Sequence, residues 1–180
     1  MIYITGDTHG EFGLRFNTTN FYEQNKMTKN DFLIICGDFG GIWDVGWESK
    51  REKHWLDWFE ERSYTLLFID GNHENFDRLN GYKEKEWNGG KVHEIRPHIL
   101  HLMRGQVFEI SGKTLFTFGG ASSHDISGGI LETDDPDFKR KKESPGSRFH
   151  SISDKSSDMV EGRAGKRRRN GRRQKESASA

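Results

Sequence analysis

Apolar positions in this chain gather into short continuous runs. Met1–Thr5, Phe32–Cys36 and Thr65–Ile69 each have strand length and β-branched or aromatic content, and each stops at a Gly or Asp. Unbroken runs of this kind suit strands covered on both faces, which predicts an α/β sheet. Between the second and third runs, Trp55, Leu56, Trp58, Phe59 and Arg62 fall at helical spacing. Trp47–Arg62 therefore reads as an amphipathic helix, with Glu48, Lys50, Arg51, Glu60 and Glu61 largely on its other side. A strand, a helix and a further strand predict a right-handed parallel crossover. Glu11–Asn30 carries a fainter helical pattern, and His98–Leu102 reads as a short strand. Gln106–Ile110 and Thr114–Gly119 flank Ser111-Gly112-Lys113, a β-hairpin with Gly supplying the turn.

Beyond Gly119-Gly120 the pattern dissolves into Ser, Asp and Gly and then the charge run Lys139–Lys142. Residues 144–180 hold ten Lys or Arg against four Asp or Glu, a net of +6, so the neutral total leaves −6 on residues 1–143. This divides the chain into a domain over 1–143 and a basic, low-complexity tail over 144–180. The tail is expected to be disordered or translated out of frame. A nucleic-acid role for it, through Gly165–Arg173 and counterion release, is the less favoured alternative. The single cysteine, Cys36, excludes an internal disulfide and fits a reducing cytoplasm. Asp7 and His9 interrupt any signal-like start, and no apolar run approaches the ~20 residues that span a membrane.

The chemistry lies just past the strands. The first is followed by Gly6-Asp7-Thr8-His9, the second by Gly37-Asp38, the third by Asp70-Gly71-Asn72-His73-Glu74. Ligands of open α/β sheets bind beyond the carboxyl ends of the strands. Three successive parallel strands would bring Asp7, His9, Asp38, Asn72 and His73 to one edge. Mixed carboxylate and imidazole donors suit Mn, Fe or Zn. Taken singly, each motif reads as a turn or a helix cap, Asn72 included. Their order and their spacing at strand ends favour a shared site.

The series Gly6-Asp7-Thr8-His9, Gly37-Asp38 and Gly71-Asn72-His73-Glu74 resembles the calcineurin-like metallophosphoesterase signature, D-x-H, G-D and G-N-H-E. The resemblance reaches about residue 143, with Gly119–Gly129 also similar to a family segment. It implies an incomplete αββα sandwich: the first sheet, its flanking helices and a hairpin. It implies a two-metal site hydrolysing phosphomonoesters or phosphodiesters with an activated water. Asp7 and His9 match ligands of one metal, Asp38 the bridging carboxylate and Asn72 a ligand of the other. His73 matches the catalytic group at the leaving oxygen. The family's later metal-binding histidines, including a G-H-x-H pair, have no counterpart after Gly129. A catalytically inactive, phosphatase-like binding protein is accordingly the rival reading.

His124 is a candidate substrate or metal contact. His54, His93, His98 and His101 read as surface or structural histidines, and Cys36 as a small buried residue without a base to activate it. Trp43 and Trp47 read as core or rim packing, with a pocket wall as the alternative.

Overall fold

A computed structural model describes residues 1–44 and 46–120. His124 and the tail over 144–180 lie outside the described residues. The first apolar runs become β1 (Ile2–Gly6), β2 (Phe32–Cys36) and β3 (Thr65–Ile69), each pairing in parallel with the next. β4 (Glu84–Trp87), β5 (Gly90–Arg96) and β6 (Ile99–Leu102) complete a six-stranded mixed sheet in the order β1-β2-β3-β6-β5-β4. β6 runs parallel to β3, whereas β5 is antiparallel to both its neighbours. β7 (Gln106–Ile110) and β8 (Lys113–Thr117) form a separate hairpin. Its Ser111-Gly112 turn has φ of 50° and 73°, the pair of positive values that a tight two-residue connection requires.

Successive strand residues point to opposite faces, and the core divides accordingly. Leu33, Ile35, Leu66 and Phe68 face the helical side, where they join Phe12 of α1 (Phe12–Arg15) and Leu56 and Phe59 of α2 (Lys50–Glu60). Leu79 of α3 (Phe76–Gly81) completes this cluster. Ile34, Leu67, Val92 and Leu100 face the other way and pack on Phe108 and Ile110 of the hairpin. The layers are therefore helices, sheet and hairpin, an α/β architecture with the first sheet of the expected sandwich and part of the second.

The structure revises several expectations. α2 begins at Lys50 instead of Trp47, because the Ser49 side chain caps it by accepting from Glu52 N–H. The fainter pattern over 11–30 breaks into α1 and a 3-10 turn at Tyr22–Lys26. β4 and β5 have no counterpart among the predicted elements. β1 is an edge strand, so Ile4 on the hairpin side is 64% exposed, unlike the doubly covered β3. Cys36 sits on that same face and is exposed, not buried as expected. The thiol is nevertheless pushed up by partial burial, which leaves it a poor nucleophile. No helix among the described residues is long and apolar enough to cross a membrane.

Candidate metal centre

The parallel register aligns Gly6, Cys36 and Ile69 as the last residues of adjacent strands, so the three loops that follow leave from one edge. Backbone bonds lock the loops together. Asp7 N–H donates to Gly37 O at 3.2 Å, His9 N–H to Asp38 O at 2.7 Å, and Gly37 N–H to Ile69 O at 2.9 Å. Thr8 is buried and its hydroxyl donates to Phe39 O at 2.8 Å, so Asp7 and His9 on either side of it point outward.

Asp7, His9 and Asp38 each present a ligand atom within 4.8 Å of the others. All three have left-handed backbones, with φ of 49°, 47° and 43°. Such geometry costs a non-glycine residue about 1–2 kcal/mol and gathers at functional sites. Asp38 is the most enclosed of the three. Its Oδ1 accepts from His73 N–H at 3.0 Å, and its Oδ2 lies 3.7 Å from His9 Nε2. The carboxylate is thereby fixed in orientation while the second oxygen faces the imidazole. The donor set fits a divalent cation: carboxylate and imidazole, open on one side, with the bridging candidate held by a backbone N–H.

Asn72 and His73 lie half-buried on the loop after β3, and His73 N–H ties that loop to Asp38. The His73 ring is 5.7 Å from that of His9 and stacks on Trp43 at 6.1 Å and 25°. The helix-cap alternative for Asn72 does not hold, because Asn75 caps α3 by accepting from Arg78 N–H. Glu74 turns inward, and its Oε1 accepts from Phe39 N–H at 2.5 Å. Burial, aided by the Asp70 and Asp38 carboxylates, pushes the Glu74 carboxyl up to about 8.

The expectation of structural roles for the other histidines agrees with the geometry. His93 Nδ1 and His101 Nδ1 are 3.0 Å apart, and His101 Nε2 is 2.9 Å from Asp70 Oδ1. A carboxylate only accepts, so His101 Nε2 carries hydrogen and, in a neutral ring, Nδ1 accepts from His93. Arg104 pairs with the other Asp70 oxygen. Burial pushes Asp70 up, but the bonds from His101 and Arg104 outweigh it and hold the group low. This buried chain braces the start of the Gly71-Asn72-His73 loop from behind. His98 bonds Glu60 at 2.6 Å, and His54 packs edge-on against Trp55.

A pocket of about 260 Å³ opens beside His9 and His73, lined also by Trp43, Asp44, Arg51 and Trp55. Trp43 is a pocket wall, 52% exposed, and Trp47 is 89% exposed, so neither packs in the core. Sequence reasoning assigned Arg51 and Trp55 to opposite sides of the helix. Their spacing of four residues was the available sign that both could face one pocket.

A family model described as calcineurin-like phosphoesterase matches residues 1–162. The chain is similar to lariat debranching enzyme A of Xenopus laevis, 26% identical over 143 residues, covering 73% of this chain and 26% of that protein. It is also similar to the lariat debranching enzyme of Caenorhabditis elegans, 30% identical over 112 residues, covering 56% of this chain and 21% of that protein. The chain thus spans about a quarter of the length of these curated relatives. No solved structure matches.

Proposed function

The chain belongs to the calcineurin-like phosphoesterase family, and from that premise we propose that it hydrolyses phosphoric esters with the help of divalent cations held by Asp7, His9, Asp38 and Asn72. The observation that carries this reading is the convergence of Asp7, His9 and Asp38 within 4.8 Å at the carboxyl edge of the sheet. Divalent metals are used across this family, and bound here a pair of Mn, Fe or Zn ions would supply charge neutralisation and a lowered water pKa.

The protein's own part is positional. Asp38 has two oxygens, one oriented by His73 N–H, which is the disposition a bridging ligand needs. Asp7 and His9 leave the first loop on the same side of buried Thr8 and approach Asp38 from one direction. Asn72 adds a neutral oxygen from the third loop. His73, whose ring neighbours those of His9 and Trp43, would hand a proton to the departing alkoxide. Both phosphomonoesters and phosphodiesters are compatible with this arrangement. A cytoplasmic setting, read from the lone cysteine, belongs to the same proposal.

The test is metal content and hydrolysis measured together on the full chain. Purified protein supplied with manganese should retain metal and cleave a generic aryl phosphate mono- or diester. Asp38→Asn should lose metal, and His73→Gln should keep metal yet turn over at least ~10²-fold more slowly, the size expected for a lost general acid. A chain that takes up no metal and cleaves neither ester would favour the rival reading of an inactive, phosphatase-like binding protein. Hydrolysis that survives Asp38→Asn unchanged would remove this site from the reaction.

A further inference from the structure

The loop after β3 carries Asn72 and His73, and one side chain grips it at both ends. That loop runs from Asp70 to Phe76, where α3 begins. Arg104, on the short connection between β6 and β7, donates from Nε to Asp70 Oδ2, and its Nη2 pairs with the same oxygen. Nη2 also reaches Gly71 O at 3.4 Å. The same guanidinium lies over the Phe76 ring, 5.1 Å from its centroid. Both ends of the loop are thereby tied to a single planar group.

Arg104 is itself fixed from outside the loop. Met103 O accepts from the buried Thr117 hydroxyl at 2.6 Å, and Gly105 N–H donates to Thr117 O at 2.7 Å. Met103 N–H donates to Lys91 O at 3.3 Å. The residues on either side of the arginine are therefore bonded to β8 and β5. The chain leaving β8 closes over the same spot: a Cβ on Gly119 would overlap Asp70 O, and one on Gly120 would overlap the Arg104 guanidinium. Contacts this close leave the guanidinium little room to swing away.

The grip matters because of what the loop does at the metal centre. Gly71 stands against the Asp38 carboxylate, and His73 N–H donates to Asp38 Oδ1 at 3.0 Å. The peptide that carries Gly71 O immediately precedes the peptide that carries His73 N–H. A carbonyl held by Arg104 therefore limits how far the donor can turn. A buried ion pair adds little stability beyond apolar packing of the same volume, whereas a planar fork of donors fixes geometry. A lysine could neutralise Asp70 but could not hold the carboxylate, the carbonyl and the ring together.

We propose that Arg104 is a positioning residue of the candidate metal centre: it clasps the Asp70–Phe76 loop at both ends and so holds His73 N–H against the carboxylate of Asp38. The effect on metal rests on the metal-centre reading given above, whereas the clasp itself acts in the metal-free chain.

The clasp is read first without metal, from hydrogen exchange of the His73 amide in the full chain, followed by NMR. Arg104→Gln should speed that exchange about tenfold, the size of one lost hydrogen bond. Arg96→Gln breaks a comparable half-buried pair, with Glu48 at 2.5 Å, and should leave His73 exchange within about twofold of the parent. Manganese affinity by calorimetry, compared where urea unfolding shows each variant fully folded, should weaken about 10–100-fold in Arg104→Gln and less than about twofold in Arg96→Gln. Arg104→Lys keeps a cation against buried Asp70, which guards against unfolding, and should show most of both losses. Unchanged His73 exchange in Arg104→Gln, equal effects in the Arg96→Gln control, or full recovery by Arg104→Lys overturns the clasp. If the parent binds no manganese, faster His73 exchange in Arg104→Gln alone upholds the clasp while the metal reading fails.

Discussion

Gly71 stands against the candidate bridging carboxylate, and adding one methyl there tests the site more sharply than deleting a ligand. A Cβ on Gly71 would lie 1.9 Å from Asp38 Oδ1, 2.3 Å from Asp38 N and 2.7 Å from Asp38 Cγ. Cβ atoms do not approach heavy atoms closer than 3.0 Å, so the carboxylate and the residue 71 backbone must separate by about 1.1 Å. Gly71 is not among the residues with positive φ, so Ala is free of backbone strain and the clash acts alone. Metal coordination tolerates about 0.2 Å, so a shift several times larger is expected to take Asp38 out of the ligand set. The overpacking itself should cost about 1–3 kcal/mol of stability. Misplacement by about 1 Å is expected to slow turnover on the order of 10²-fold. Gly81→Ala is the control, because nothing lies within 4 Å of its Cβ position. Metal titration by calorimetry and urea unfolding should be run on both variants. Gly71→Ala with metal affinity and turnover within about twofold of the parent would show that Asp38 is not held where the reasoning places it.

Three further outcomes follow from particular side chains. Glu74 sits buried with a carboxyl pushed up to about 8; its Oε1 accepts from Phe39 N–H, and among the described residues its Oε2 has no hydrogen-bond partner. Glu74→Gln, which copies the neutral group, should unfold within about 1 kcal/mol of the parent, whereas Glu74→Ala strands the buried N–H and should cost about 1–3 kcal/mol; equal losses would refute this. Glu52→Ala leaves the Arg78 guanidinium, 11% exposed, without its ion-pair partner and frees the Trp43 and Asp44 amides. A loss of about 3–5 kcal/mol is expected in urea unfolding, and a loss under about 1 kcal/mol would show the pair to be dispensable. Burial, then the neighbouring His101, lowers the His93 pKa below its ordinary 6.5, so the folded state binds fewer protons than the unfolded chain under acid conditions. The stability it contributes is complete above pH 6.5 and declines as pH falls toward the folded value. Glu74, with its carboxyl pushed up, acts in the opposite sense over the same range. The His93 part is therefore read by comparison: on going from about pH 7.5 to about pH 5.5, the urea midpoint of His93→Gln should rise relative to that of the parent; a difference between the two that does not change with pH would place the acid sensitivity elsewhere.

Much of this was legible along the chain. The continuous runs Ile2–Gly6, Phe32–Cys36 and Thr65–Ile69 announced parallel strands because burial on two faces leaves no room for polar alternation. The Asp7, His9 and Asp38 positions at the strand ends pointed to a candidate site because parallel strands deliver their termini to one edge. The β4–β5 hairpin was missed although Asn88-Gly89 has the φ values of a tight turn, 48° and 92°. Its flank Glu84-Lys85-Glu86 is charged, since β4 is an edge strand with exposed faces, and so it lacks the apolar alternation that identifies strands.

What the chain alone determined is thus the local part: which segments extend, where they stop and which donors stand at the stops. Only the tertiary structure decided that Cys36 and Ile4 lie on an uncovered face, because coverage depends on which layer reaches the sheet edge. Only it placed Arg51, Asp44 and Trp43 around one pocket, since that requires α2 and the loop after β2 to be tied through Glu52, Asn75 and Arg78. Periodicity records whether a residue is buried within its own element. Which residues of different elements meet is set by packing between them, and no period along the chain encodes it.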